Sequence, residues 1–377
     1  MQNGRVGALG IPDGVFGQAR RVADDIGWRA GRLGGALTVD ADEILTGRAA
    51  LLGWAPAGRV SAGGATRLLP AGDGWCALTL SRADDVEAVP ALLELPDQPA
   101  DVWAAIAAAA AGSDGAEFVA RARLLDLPAA VLGEIASAAP RFVPHGDRAQ
   151  RRLSQLLVAD LSSMWAGPLC GHLLAAGGAT VVKVEGRHRP DGTRSGGARF
   201  FDWMNSSKLS YAIDFGGDDL RALLEVADVV IEGSRPAALT RRGLGPEQVA
   251  GRAGRIWLRI TGYGTESDRA NRVAFGDDAA VAGGLVGADV EFIGDAIADP
   301  LTGLAATGAV LDSLARGGGE IIETALAEVA AQYAALPPAD LSGAGRVRVP
   351  VPSPPAAALG ADNERVRDLI ETRLAAC

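Results

Sequence analysis

Asp299 is the residue whose setting most suggests chemistry. It lies in Ile297-Ala298-Asp299-Pro300-Leu301-Thr302-Gly303, where Pro300 suits a first helical turn and residues 301–315 continue the helix. A carboxylate there reads as an N-cap or as a nucleophile at the mouth of a sheet, and the segment alone favours the cap. Rival chemistries find less support. His145, His172 and His188 are never paired at ligand spacing, so no metal is expected. No G-x-S-x-G elbow occurs, and the turn Asp160–Pro168 reads DLSSMWAGP rather than G-x-G-x-x-G. Cys76, Cys170 and Cys377 are too scattered for a disulfide framework or a zinc site.

The elements that must position such a carboxylate begin at residues 156–185. An apolar strand, a polar turn, a helix opened by Ala166-Gly167-Pro168 and closed at Gly177-Gly178, and a second apolar strand make one parallel crossover unit. Ligands of such sheets sit at the carboxyl ends of the strands. Strand and helix then alternate: strands at 208–213, 229–232 and 256–261, helices at 218–226, 246–250, 277–285 and 301–315, and a helical reading of 320–334. A proline-rich stretch, 335–355, precedes a terminal helix at 363–374. Upstream, helices are expected at 15–36 and 42–52, strands at 67–69 and 75–80, helices at 84–93, 101–111 and 116–124, and a short extended piece at 127–132. This is an α+β texture ending near 140–148.

The 377 residues are too many for one ordinary core, so two domains are expected. The net charge of −10 argues against nucleic acid or an anionic membrane as partner. Only Lys183 and Lys208 are lysines, against 34 arginines, which fits compositional bias better than phosphate binding. The opening MQNGRVGALG does not read as a signal peptide, residues 104–111 are too short to span a bilayer, and a cytoplasmic protein is expected.

An ordered set of short motifs carries a resemblance. D-L-S-x-x-x-A-G-P (160–168), V-V-K-V-E (181–185), P-D-G-T-R (190–194), N-S-S-K-x-S (205–210), A-D-V-V-I-E-G-S-R-P (227–236), R-x-G-L (241–244), T-G-Y-G (261–264) and A-D-P-L-T-G (298–303) resemble the family III CoA-transferases of the CaiB/BaiF type. These include formyl-CoA transferase, carnitine CoA-transferase and α-methylacyl-CoA racemase, and the likeness covers about 153–334. It implies a doubly wound, Rossmann-like α/β large domain with a smaller α+β domain. It also implies coenzyme A or acyl-CoA with a carboxylic acid as substrates, and an interlocked homodimer. Asp299 falls on the catalytic aspartate, which attacks the thioester to give a mixed anhydride and then an aspartyl-CoA thioester. Ser163, Trp165 and Ala166 fall on the CoA-contacting turn, Gly186 and Arg187 on the adenine and phosphate site, Ile213 and Phe215 on the nucleotide groove, and Gly233, Ser234 and Arg241 on the next loop. Lys183, Glu185 and Asp214 read instead as strand-end ion pairs or turn caps.

Departures narrow the reading. Gly233-Ser234 stands where the family often has an Asn-Phe or Asn-Arg pair, and the first turn lacks the His or Gln that lines the acyl site of the formyl and oxalyl enzymes. Small dicarboxylate or formate substrates are therefore not supported. Where the racemase branch carries His-Asp, this chain has Asp277-Asp278, so racemisation needs Asp277 as second base; a loop and cap is the plain alternative. A racemase, and a non-catalytic CoA-binding paralogue, stand as alternatives. The domain order also differs. Residues 61–80, 84–93, 102–110 and 121–132 resemble the family's small domain, placed here ahead of the large one, and 354–364 resembles its closing motif. The expected division is 1–148, 149–334 and 335–377. A small domain facing away from Asp299 would refute a rearranged chain. The family's shielding glycine loop has only Gly317-Gly318-Gly319 and Ala62-Gly63-Gly64 as poor substitutes.

Overall fold

The computed structural model describes residues 8–215, 217–337 and 345–375; Cys377 and the first seven residues lie outside them. Three strands form a small antiparallel sheet, in the order β1 (Thr66–Ala71), β2 (Gly74–Thr79), β3 (Ala129–Val131). Seven form the large sheet: β4 (Arg141–Pro144), β5 (Leu157–Asp160), β6 (Thr180–Gly186), β7 (Leu209–Ile213), β8 (Val229–Glu232), β9 (Ile256–Thr261) and β10 (Glu320–Ala325). Their spatial order is β4-β10-β9-β8-β5-β6-β7, parallel except for β4, which runs antiparallel on β10. The protein is thus a mixed α/β fold with a doubly wound, mainly parallel sheet.

The near-continuous apolar strands follow from cover on both faces. Val158, Val229, Ile231, Leu258 and Ile322 enter one core, beneath helices Asp13–Arg32, Ala166–Ala176 and Ala298–Arg316. Leu157, Val182, Val230, Trp257 and Ile321 enter the other, beneath Asp218–Val226 and Asn363–Ala375. From β5 the chain first winds out to β7, then returns to β8 and winds the opposite way. The switch point, where a crevice must open, lies between β5 and β8.

Besides an unmarked helix at Ala198–Asn205 and a break at Ala88 within 84–93, the sequence reading and the fold differ in three larger ways. Residues 320–334 are not one helix: β10 precedes a helix at Leu326–Ala334. Its Glu and Ala residues suit a helix, but Ile321 and Ile322 face opposite cores and Glu320 is held by Ser313 and Arg316. Residues 246–250 form turns, because Arg255 draws the carbonyls of Pro246, Val249 and Ala250 out to its guanidinium. Residues 1–148 also do not pack as one unit. Helices Asp13–Arg32 and Ala41–Leu52 bury Val15, Phe16, Ile26, Ile44 and Leu45 in the large core, and β4 extends the large sheet. The small unit has its own core, built on Leu69, Leu78, Val89, Ile106 and Phe118.

That unit sits on the Asp299 side. Gly133 and Ile135 donate backbone hydrogen bonds to Val281 and Ala282, each at 2.9 Å, and Leu68 and Ala77 pack on Val281 and Phe292. The closing motif covers the β7 edge: Asn363 bonds both the N–H and the C=O of Ala212, at 2.9 Å each, and Asp362 does the same for Ser210, at 2.8 and 3.1 Å.

The turn after β5 is held by the chain's two lysines, both buried. Lys208 Nζ reaches Asp160 Oδ2 and the Pro168 carbonyl, each at 2.8 Å. Lys183 binds Asp191 at 2.9 Å and the Ser162 carbonyl. Glu185 pairs with Arg194. Burial pushes Lys208 down despite Asp160, while Asp160, although desolvated, is held low by both lysines. Replacing one member of the Lys208–Asp160 pair strands a buried charge. Lys208→Met is expected to cost about 3–5 kcal/mol in urea unfolding, part of it recovered in the Lys208→Met/Asp160→Asn double variant. Full additivity of the two changes would show the pair to be uncoupled.

Candidate active site

At the switch point lies a cavity of about 320 Å³ between the turns that follow β5 and β8. Small residues let those turns meet: a Cβ on Gly167 would lie 2.2 Å from Ser162 Oγ, and one on Gly233 3.1 Å from Ser162 Cβ. Met164, in the same turn, holds φ at 71°, a left-handed conformation that side chains disfavour. Its N–H donates to Asp191, so the lysine network fixes the strained turn. Arg235 and Arg272 are the cationic side chains of the lining among the described residues. Each bridges to the small unit: Arg235 to Asp126 at 2.9 Å and Arg272 to Glu134 at 3.6 Å.

Ser163, Ala166, Gly233, Ser234 and Asp299 come together in this lining. Trp165 is in the same turn but faces inward, fully buried and edge-on to Phe200 at 5.3 Å. Gly186, Arg187, Ile213 and Phe215 gather one and two strands along from β5, at the carboxyl ends of β6 and β7. The Phe215 ring lies 3.6 Å from where a Gly186 Cβ would project, and Arg187 N–H donates to the Ile213 carbonyl at 3.2 Å. Ile213 is fully buried, and its carbonyl is engaged by the Arg187 N–H. Arg241 is exposed at the end of helix Ala237–Thr240, outside the cavity lining.

Asp299 is half-buried, on the first turn of helix Ala298–Arg316. Two further acids, Asp277 and Asp295, lie beside it around Ala296, whose φ is 42°. Asp277 accepts the Ala296 N–H at 3.0 Å, the Ala296 carbonyl accepts the Asp299 N–H at 2.9 Å, and Asp295 precedes it in the chain. Gly276 closes the ring: a Cβ there would fall 2.5 Å from Asp299 Oδ2 and 2.3 Å from the Ala296 carbonyl. Burial, with Asp277 and Asp295 nearby, pushes Asp299 up to about 7, against the opposing pull of Arg48 and the Gly276 N–H. Burial and Asp295 raise Asp277 to about 6. Asp278 is the buried cap of its helix, bonded to Phe275 N–H at 2.9 Å, Tyr263 at 3.1 Å and Thr79 at 3.2 Å, and burial raises it to about 7. A carboxyl poised near neutrality is more basic than an ordinary aspartate and still substantially ionised, which suits a nucleophile or an acid–base group.

Arg48 and Asp295 were not legible as site residues. Arg48 sits in ADEILTGRAALL, an unremarkable helix, and nothing local marks it. Of the two glycine stretches, Gly317–Gly319 packs on the backbone of Gly254 and Gly146, while Gly63 lies against Trp54, in a turn where Thr66, held by Ser61 at 3.1 Å, reaches Asp277 at 3.4 Å. Among the described residues no group of three His, Cys, Asp or Glu side chains is arranged to hold a metal, and no helix is long and apolar enough to cross a membrane.

Residues 153–358 match the family described as CoA-transferase family III. A succinyl-CoA–D-citramalate CoA-transferase of Chloroflexus aurantiacus is 29% identical over 228 residues, 53% of this chain and 56% of that protein. The mouse succinyl-CoA:glutarate CoA-transferase is 32% identical over 180 residues, covering 43% and 41%. A solved CAIB/BAIF family protein from Brucella suis is 28% identical, covering 50% of this chain and 56% of that one, with a TM-score of 0.45. The chain spans about half the length of the curated relatives it matches.

The raised carboxyls give a pH prediction. Unfolded, Asp277, Asp278 and Asp299 titrate near 4; folded, they hold protons up to about 6, 7 and 7. Their stability contribution is full below about pH 4 and is lost as pH rises through 6 to 7. His172, kept neutral by burial at about 4, acts oppositely but only below its unfolded value of about 6.5. The melting temperature should therefore fall between about pH 4 and 7.5, His172 offsetting part of the fall below about 6.5, and Asp299→Asn should flatten part of it. An unchanged slope in Asp299→Asn would show that Asp299 titrates as an ordinary surface acid.

Proposed function

The chain belongs to CoA-transferase family III, and from that premise we propose that it moves coenzyme A between an acyl-CoA donor and a carboxylic acid acceptor, with Asp299 as nucleophile. The observation that carries this reading is a carboxyl pushed to about 7 that opens into the switch-point cavity. Ionised Asp299 attacks the thioester carbonyl; the C–S bond breaks and thiolate leaves, giving a mixed anhydride. The thiolate then attacks the aspartyl carbonyl and expels the donor acid. The acceptor carboxylate enters the aspartyl thioester, and the same two steps run in reverse. No proton is consumed, and one difficult transfer becomes several easier ones.

CoA binding is assigned to Ser163, Ala166, Gly233 and Ser234 beside the reacting carbonyl, with Gly186, Arg187, Phe215 and the Ile213 backbone as the nucleotide end. Trp165 contributes by packing beneath the turn. Arg241 belongs to this set only if the nucleotide reaches past the cavity. The Ser61–Gly64 turn, lying against Asp277 and Trp54, takes the role of excluding water from the anhydride. The rearranged order, with the small unit preceding the CoA-binding region, is part of the same proposal and is supported by the packing of that unit on the Asp299 side. So are an interlocked homodimer and a cytoplasmic location. Light scattering of the purified protein should give twice the monomer mass; a monomer active at the same specific rate would remove the dimer from the account.

One observation favours a second reading: Asp277, raised to about 6, shares Ala296 with Asp299. Two such carboxyls would serve as acid and base in α-methylacyl-CoA epimerisation. Mass spectrometry after incubation with a panel of acyl-CoA esters separates the two. An acyl or CoA adduct on Asp299, absent in Asp299→Ala together with transfer activity, is expected. Deuterium uptake at the α-carbon with no adduct would select epimerisation, and CoA binding with neither would select a non-catalytic binding protein.

A further inference from the structure

We propose that Arg48, on a helix outside the residues matched to the family, is a positioning residue that, paired to the buried Asp295, favours the charged form of the Asp299 carboxylate. This rests on the acyl-transfer reading, in which Asp299 must attack as an anion.

The argument begins with charge. Asp277, Asp295 and Asp299 crowd around Ala296, and Arg48 is the cation set against all three. Arg48 Nη2 lies 2.9 Å from Asp295 Oδ1, and Asp295 is buried, with its other oxygen unpartnered among the described residues. Mutual repulsion would otherwise drive protons onto these groups. Beneath the guanidinium lie three rings: Trp165 at 4.7 Å, Trp54 at 5.4 Å and Phe200 at 5.5 Å. An arginine can stack its flat face on rings and donate from its edge at once, which a lysine cannot. Gly47 secures the helix itself, since a Cβ there would lie 2.7 Å from both Trp203 and Pro350.

Arg48 contacts Asp295 from the loop before helix Ala298–Arg316 and acts through space on Asp299 from that helix and Asp277 from helix Gly276–Ala282. The turn after β5 and helix Ala198–Asn205 present the rings of Trp165 and Phe200. The side chain is 14% exposed, so its charge is poorly screened by water. Trp165, carried by the turn that also lines the cavity, links the cation to the binding turn. The arginine therefore ties three segments together at the point where chemistry is proposed.

The test compares wild type with Arg48→Met, which preserves apolar packing among the rings, and Arg48→Lys, which preserves charge. The first readout is the rate of Asp299 acylation against pH, followed by intact mass. In wild type the rate should rise with pH through about 7. In Arg48→Met the midpoint should move up by about one pH unit or more, with Arg48→Lys lying nearer wild type. A Met variant whose profile overlays wild type, differing in amplitude alone, would overturn the proposal. The second readout needs no acyl-CoA: the melting-temperature gap between wild type and Arg48→Met should widen from about pH 5.5 to 8.5, as the carboxyls lose their protons. A gap that stays constant would equally overturn it. If wild type forms no adduct at all, the transfer reading falls, and the melting gap still decides the role of Arg48.

Discussion

The site depends on crowding of like charge. Three aspartates meet around one residue, Ala296, which adopts a left-handed conformation: Asp277 accepts the Ala296 N–H, Asp299 donates its own N–H to the Ala296 carbonyl, and Asp295 precedes it. Such an arrangement is unfavourable locally, through both repulsion and backbone strain, and persists only where the surroundings over-determine it. Gly276 supplies the close approach, the rings of Trp54, Trp165 and Phe200 supply a floor, and Arg48 supplies the balancing charge. The result is a carboxyl close to neutrality inside a crevice open to ligand, which an aspartate in water never provides.

Everything else brings the crevice to that carboxyl. The reversal of winding between β5 and β8 opens the sheet, and two buried lysines pin the turn on one side of the opening. Lysine suits this work because a compact ammonium can donate to several oxygens converging from different directions. Lys208 and Lys183 each join a carboxylate to a backbone carbonyl. In a chain whose other basic residues are all arginine, these positions carry a geometric demand that a planar fork would not meet. The small unit then closes over the same region through Arg235–Asp126 and Arg272–Glu134.

Much of this was legible in the sequence because it is local. Period and turn chemistry located β5, β6, β8 and β9, and the ordered motifs placed Asp299, Ser163, Ala166, Gly233 and Ser234 in what proved to be one cavity lining. That Lys183 and Glu185 serve as structural ions, paired with Asp191 and Arg194 respectively, was likewise readable from their strand-end positions. What stayed hidden is set by contacts distant in sequence. Arg48 reaches Asp295 across 247 residues, and nothing in its own helix distinguishes it from a solvated arginine. The strand at Glu320–Ala325 was obscured by helix-forming residues, and only the two-sided core decides its conformation. The packing of helices Asp13–Arg32 and Ala41–Leu52 on the large sheet, rather than on the small one, is likewise a tertiary choice.

The central claim is that Asp299 enters covalent exchange with the carboxylic acid acceptor. In the proposed sequence of steps, the regenerated Asp299 carboxylate keeps one oxygen that arrived with the acceptor. Turnover with an acceptor acid carrying heavy oxygen in its carboxyl group, followed by peptide mass analysis, reads this directly. The account predicts heavy oxygen in the peptide containing Asp299 and in no other. Transfer of CoA that proceeds while Asp299 remains unlabelled would contradict it.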